Sequence, residues 1–190
     1  MTPWLAGGPG RGYAAPMLTT RHEILARLAA LGIEQRTTQH PPVFTVDEAR
    51  RYTRDIPGGH CKNLFLKDKR DRLWLVTCLD EQPVDLNRLS KVLGAARFSF
   101  GRAELLQAVL GVAPGSVTPL AIVNDTVGRV TPVLDTKLLG HEWVNCHPLQ
   151  NDATTTLRSR DLLAFVRYTG HEPVLIDFDL TLGKAGEVEQ

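Results

Sequence analysis

Residues 62–79 read KNLFLKDKRDRLWLVTCL. Two apolar runs, KNLFLKD (62–68) and LWLVTCL (73–79), flank the charged stretch KRDR (69–72). Apolar runs of this length around a polar turn predict a β-hairpin. Helical patterns lie on both sides of it, so the fold class is mixed α/β (α+β), a mixed sheet flanked by helices.

Toward the N-terminus, Thr20 and Glu23 form a T-x-x-E capping box. Ile24, Leu25, Leu28 and Leu31 follow at helical spacing until Gly32. The alternation in IEQRTT predicts a strand, and Thr45 with Glu48 predicts a second capping box on a short helix ending near Arg54. Toward the C-terminus, Asp85 is placed to cap a helix closed by Gly94. RFSF reads as a strand and ELLQAVLG as a helix. AIVND, RVTPVLD and EWVNCH are strand candidates. Ser159 is placed to cap the helix DLLAFVRYTG, and VLIDF reads as a last strand. Residues 1–17, rich in Gly, Pro and Ala, read as a disordered extension. Residues 18–180 read as one domain and residues 181–190 as a tail.

The bulk numbers narrow the class. Of 190 residues, 43% are hydrophobic and 23% charged, the balance of an ordinary globular domain. The formal net charge is +1, so contact with nucleic acid must come from a local patch. Cys61, Cys78 and Cys146 are too few and too scattered for a disulfide framework, which fits a reducing compartment. No apolar run approaches the roughly 20 residues of a membrane span. Neither a basic leader nor an apolar h-region opens the chain, so cytoplasm is the expected location and no membrane partner is expected.

Three places are candidates for chemistry. Lys62 opens an apolar strand, where it can point along a cleft; on spacing alone a solvated strand-end lysine fits better. The loop GVAPGSVTP (111–119) can turn consecutive amides toward one oxygen, with Gly115 allowing close approach; an ordinary turn fits the same residues. His147 sits in NCHPLQNDATTT (145–156) among hydrogen-bonding side chains, as an orienting residue or a structural one. The pairs His60–Cys61 and Cys146–His147 invite a zinc reading, but strand neighbours point to opposite faces and the usual zinc spacings are missing. Cys61 and Cys146 are also conceivable nucleophiles of a Cys–His hydrolase. The G-x-S-x-G elbow is missing.

The order of phrases is more specific than any spacing. It runs HPPVFTVDEA (40–49), GGHCKNLFLKD (58–68), DLNRLSKVLGAARFSFG (85–101), LGVAPGSVTPLAIVND (110–125) and VNCHPLQNDATTTL (144–157). From Thr19 to Phe178 the chain resembles the YbaK/ProX family of aminoacyl-tRNA editing domains, and within it the alanine-specific ProX branch. The resemblance implies a fold like the insertion domain of bacterial prolyl-tRNA synthetase. It implies deacylation of Ala-tRNA(Pro) without metal or cofactor. A Cys-tRNA(Pro) deacylase and a non-catalytic tRNA-binding module of the same fold stay open. The family's essential lysine falls on Lys62, with Asn63 beside it. Its G-x-x-x-P loop falls on Gly115, Ser116, Val117, Thr118 and Pro119, and its pocket histidine on His147. Residues for the tRNA acceptor stem fall on Lys67 and Arg97. Val43, Phe44 and Val46 are expected in the wall of a small apolar sieve. The implied partners are the acceptor end of tRNA(Pro) and prolyl-tRNA synthetase.

Overall fold

The computed structural model describes residues 18–181. The expected extension at 1–17 and all but the first residue of the expected tail lie outside the described residues. In chain order the elements are α1 (Arg21–Ala30), β1 (Gln35–Gln39), α2 (Val46–Thr53), β2 (Gly59–Asp68) and β3 (Leu73–Leu79). Then come α3 (Leu86–Val92), β4 (Phe98–Phe100), α4 (Ala103–Leu110), a 3-10 turn at Pro119–Asn124, β5 (Val130–Asp135) and α5 (Thr136–Leu139). The chain continues through β6 (Trp143–Cys146), β7 (Ala153–Arg158), α6 (Ser159–Tyr168), β8 (Val174–Ile176) and a second 3-10 turn at Phe178–Thr181.

The hairpin forms as its sequence predicts, with Lys62 opposite Cys78 and Asn63 opposite Thr77. Its turn is held by buried Asp68, whose carboxylate accepts from the backbone of Arg70, Arg72 and Ala96 and from the Arg72 side chain. The two faces of the hairpin fill different cores, which is why both strands read as nearly continuous apolar runs. Phe65, Leu73 and Leu75 pack with Ile24 and Leu28 of α1, Leu110 of α4 and Phe165 of α6. Leu66, Trp74, Val76 and Cys78 pack with Leu89 of α3, Ile176 and Phe178.

The sheet is mixed, in the order β1-β7-β6-β2-β3-β5-β8, with β4 also on β2. Strand β2 has β3 along one edge. Its other edge meets β6 only at Gly59 and His60, and β4 only from Leu66 onward. Residues 61–64 therefore face a break in the sheet, and this break positions the site.

Several local expectations are corrected. AIVND is not a strand: Thr118 caps a 3-10 turn there, with Pro119 at its first position. Leu120, Ala121, Ile122 and Val123 are all buried, and a fully buried apolar run carries no period that separates strand from helix. Ser159 does not cap α6; Arg158 holds that position, with no side-chain cap bond. The Thr20–Glu23 box is reciprocal. The second box is half formed, because Glu48 receives the Phe44 amide instead of that of Thr45. Among the described residues no helix is long and apolar enough to cross a membrane.

Candidate active site

A cavity of about 260 Å³ opens at the break beside β2. Lys62 and Asn63 line it, and Gly115, Val117, His147 and Phe44 come to it from three other segments. Val43, Thr45, Ala49 and Cys61 complete the wall. The strand spacing brings Asn63 and Cys61 to one face of β2 and places Lys62, with Leu64 and Leu66, on the other. The Lys62 ammonium accordingly donates to the Gln82 carbonyl oxygen, while the residue itself remains half-buried at the cavity wall.

The loop over the cavity is divided in its roles. Gly115 has φ +85°, a left-handed conformation that glycine adopts without strain. A Cβ there would sit 3.1 Å from the Phe44 ring. Ser116 and Thr118 are turned inward and buried, and Pro119 starts the 3-10 turn. The Ser116 amide donates to the Ala113 carbonyl at 3.0 Å, so the loop does not present an uninterrupted row of amides. Gly115→Ala is expected to cost about 1–3 kcal/mol in stability from backbone strain. It is also expected to push Phe44 aside. Urea unfolding of the variant checks the first expectation, and a variant as stable as the parent would contradict it.

Phe44 is 71% exposed and forms the outer rim, while Val43 behind it is 3% exposed. Asn151 fastens this segment: its side chain donates to the Val43 carbonyl, and its own carbonyl accepts the Val43 amide. Asn151 lies in the HPLQND phrase, but nothing in the spacing distinguished it from its polar neighbours.

His147 Nδ1 lies 3.0 Å from the Ala153 carbonyl oxygen. A carbonyl only accepts, so Nδ1 carries the proton. Burial pushes the His147 pKa down from its ordinary 6.5; the bond to Ala153 opposes this, and nearby His40 adds to it. At neutral pH the ring is therefore neutral and Nε2 holds a lone pair. Among the described residues Nε2 has no hydrogen-bond partner.

The thiols do not suit nucleophilic work. Burial pushes Cys146 up to about 12 and Cys61 well above 9.0. The Cys61 thiol donates to the Asn145 carbonyl at 2.9 Å. This removes the physical basis of the Cys–His hydrolase reading. Among the described residues no group of three or more His, Cys, Asp or Glu could hold a metal ion.

Lys67 and Arg97 stand apart from the cavity. Lys67 is five residues along β2 from Lys62, about 17 Å at the usual strand rise. It pairs with Asp71 at 2.6 Å. Arg97 is exposed just before β4, its carbonyl receiving the Lys69 amide. Both flank the hairpin turn, so they could contact only a ligand that extends well beyond the cavity.

Comparison with known proteins finds relatives over most of the chain. Residues 40–165 match the family model described as the aminoacyl-tRNA editing domain. The zebrafish (Danio rerio) prolyl-tRNA synthetase associated domain-containing protein 1 is 41% identical over 170 residues, covering 88% of this chain and 92% of that protein. The prolyl-tRNA editing protein ProX of Acetoanaerobium sticklandii is 32% identical over 155 residues, covering 81% and 94%. A crystal structure presented as a candidate trans-editing enzyme for prolyl-tRNA synthetase superposes with a TM-score of 0.64 at 20% identity, covering 83% of this chain and 94% of that one. The family model spans the α2 segment, the whole hairpin, the 115–119 loop and His147, and with these relatives it establishes that the chain belongs to the aminoacyl-tRNA editing domain family.

Proposed function

We propose that the chain is a trans-editing deacylase that hydrolyses mischarged Ala-tRNA(Pro), correcting the product of prolyl-tRNA synthetase. The observation that carries this reading is the convergence of Lys62, Asn63 and His147 on one small, partly apolar cavity. The likeness to a protein named for prolyl-tRNA editing supports it.

The chemistry asks little of a protein nucleophile, because an aminoacyl-tRNA is already an activated ester. Water adds to the ester carbonyl, the bond to the terminal ribose oxygen breaks, and that oxygen takes up a proton. Alanine and free tRNA result. Lys62 leaves the Gln82 carbonyl and turns its ammonium to the charged end of the tRNA. The exchange forfeits one hydrogen bond to a charged group, about 1.5–3 kcal/mol, which the new partner offsets. Neutral His147 accepts from the attacking water at Nε2 and so orients it.

The need for a second site has the same physical root. A synthetase pocket sized for proline cannot exclude alanine, since missing methylenes are worth only about 1–3 kcal/mol. A cavity walled by Val43, Phe44 and Val117 discriminates in the opposite sense, admitting alanine and resisting the larger ring. Release of alanine from tRNA(Pro) is expected to outpace release of cysteine under equal conditions; faster release of cysteine would transfer the assignment to that substrate.

The His147 role fixes a pH dependence. Its pKa is depressed, so the working neutral form is complete above about pH 6.5 and is lost as pH falls through the lower folded value. Its contribution to stability runs in the same direction. Enzyme-dependent kcat/KM should stay level from pH 7.5 to 6.5 and decline below that, after subtraction of spontaneous hydrolysis. A rate that rises on acidification would contradict the role.

A further inference from the structure

We propose that the side-chain amide of Asn63 donates to the carbonyl oxygen of the scissile ester, and that Thr77 is the positioning residue that holds this amide in place. The inference rests on the deacylase reading and names a donor it lacks.

Thr77 is a fully buried hydroxyl within the apolar strand LWLVTCL. A hydroxyl buried there costs stability unless it is hydrogen-bonded. Its partner is Asn63, directly opposite on β2: Thr77 Oγ1 donates to Asn63 Oδ1 at 2.8 Å. On its other side the amide meets the sulfur of Cys61, with Nδ2 at 3.8 Å from Sγ.

The direction of the amide follows from these neighbours. The Cys61 proton is committed to the Asn145 carbonyl, so the sulfur offers Asn63 only lone pairs. A flipped amide would set its oxygen against those lone pairs. The arrangement seen satisfies every group: Thr77 gives to Oδ1, Nδ2 gives to Cys61, and Cys61 gives to Asn145. This chain crosses from β3 through β2 to β6.

An Asn amide has two N–H groups. One is directed at Cys61; among the described residues the second has no partner. Asn63 lines the cavity at the break in the sheet. A preoriented N–H at the cavity wall is what an ester oxygen needs as it gains negative charge. The inward-turned amide of Ser116 makes this donor the more necessary, because the loop cannot supply a continuous set.

The test is steady-state deacylation of Ala-tRNA(Pro) by the full chain and by Thr77→Val and Thr77→Ser. Thr77→Val keeps the size and shape of the side chain and removes the donor. It is expected to lower kcat about tenfold, a fraction of the roughly 10²–10³-fold that a single oxyanion donor is worth. KM should stay within about twofold of the parent, because the effect belongs to the transition state. Thr77→Ser restores the hydroxyl and should recover most of kcat; near-UV circular dichroism verifies that each variant is folded. Thr77→Val with the parent's kcat would overturn the inference and leave the deacylase reading standing. So would Thr77→Ser as slow as Thr77→Val, since the loss would then follow packing. A parent chain that releases no alanine would overturn both.

Discussion

Lys62→Ala is expected to abolish enzyme-dependent release of alanine from Ala-tRNA(Pro), a loss of at least about 10²-fold in kcat/KM. Among the described residues that line the cavity, Lys62 is the one lysine or arginine. Among the described residues no Asp or Glu lines that wall to substitute for it. Its ammonium rests on the Gln82 carbonyl, a contact that a rotation of the side chain can break. Lys62 is a half-buried residue within β2 and belongs to neither apolar core, so removing it takes away one side-chain hydrogen bond and the melting temperature should move little. Lys62→Arg is expected to restore only part of the activity. A guanidinium is a planar fork where the site holds a compact point charge. Both variants are checked by initial rates with matched thermal melts. An active Lys62→Ala would place the charge stabilisation elsewhere.

The second large effect concerns stability, at a place remote from the cavity. His171 and Asp125 are both buried, with Nε2 3.1 Å from Oδ2. Thr169 Oγ1 lies 2.7 Å from the Val166 carbonyl oxygen and 3.0 Å from His171 Nδ1. Asp125 Oδ2 also receives the Val130 amide at 2.7 Å. The pair thus ties the end of α6 to the start of β5. His171→Ala leaves the Asp125 carboxyl group buried without its partner, and its Oδ1 already has none. Breaking a buried pair from one side costs about 3–5 kcal/mol. For a domain of this size that is a fall in Tm of about 10 °C. Urea unfolding measures it directly, and a loss under about 1 kcal/mol would show that the pair is not load-sharing in this way. The two variants should separate cleanly: Lys62→Ala loses activity and keeps stability, while His171→Ala does the reverse at temperatures where it is folded.

Much of this was legible in the sequence where local chemistry decides the outcome. The hairpin, the capping box at Thr20 and the Asp85 cap all depend on residues near one another in the chain, and all are present. Two segments that the sequence did not resolve share a cause. AIVND and ATTTLR take their form from tertiary burial: the first is a wholly buried turn, and the second is β7, held between β1 and β6. Four-residue α5 is too short for any period to show. The site divides in the same way. Lys62, Asn63 and His147, which line one cavity, were singled out through the order of whole phrases, since spacing favoured a bland reading of the lysine. Thr77 and Asn151 act across strands and loops, through partners 14 and 108 residues away, and no local pattern announces such partners.

If the cavity selects a wrongly attached small amino acid for hydrolysis, it must tell alanine from proline on the same tRNA. The most direct test is the rate at which the purified chain deacylates Ala-tRNA(Pro) compared with Pro-tRNA(Pro). Rapid release of alanine is expected, with release of proline at the spontaneous rate. Equal rates for both, or intact Ala-tRNA(Pro) at the end of the reaction, would contradict it.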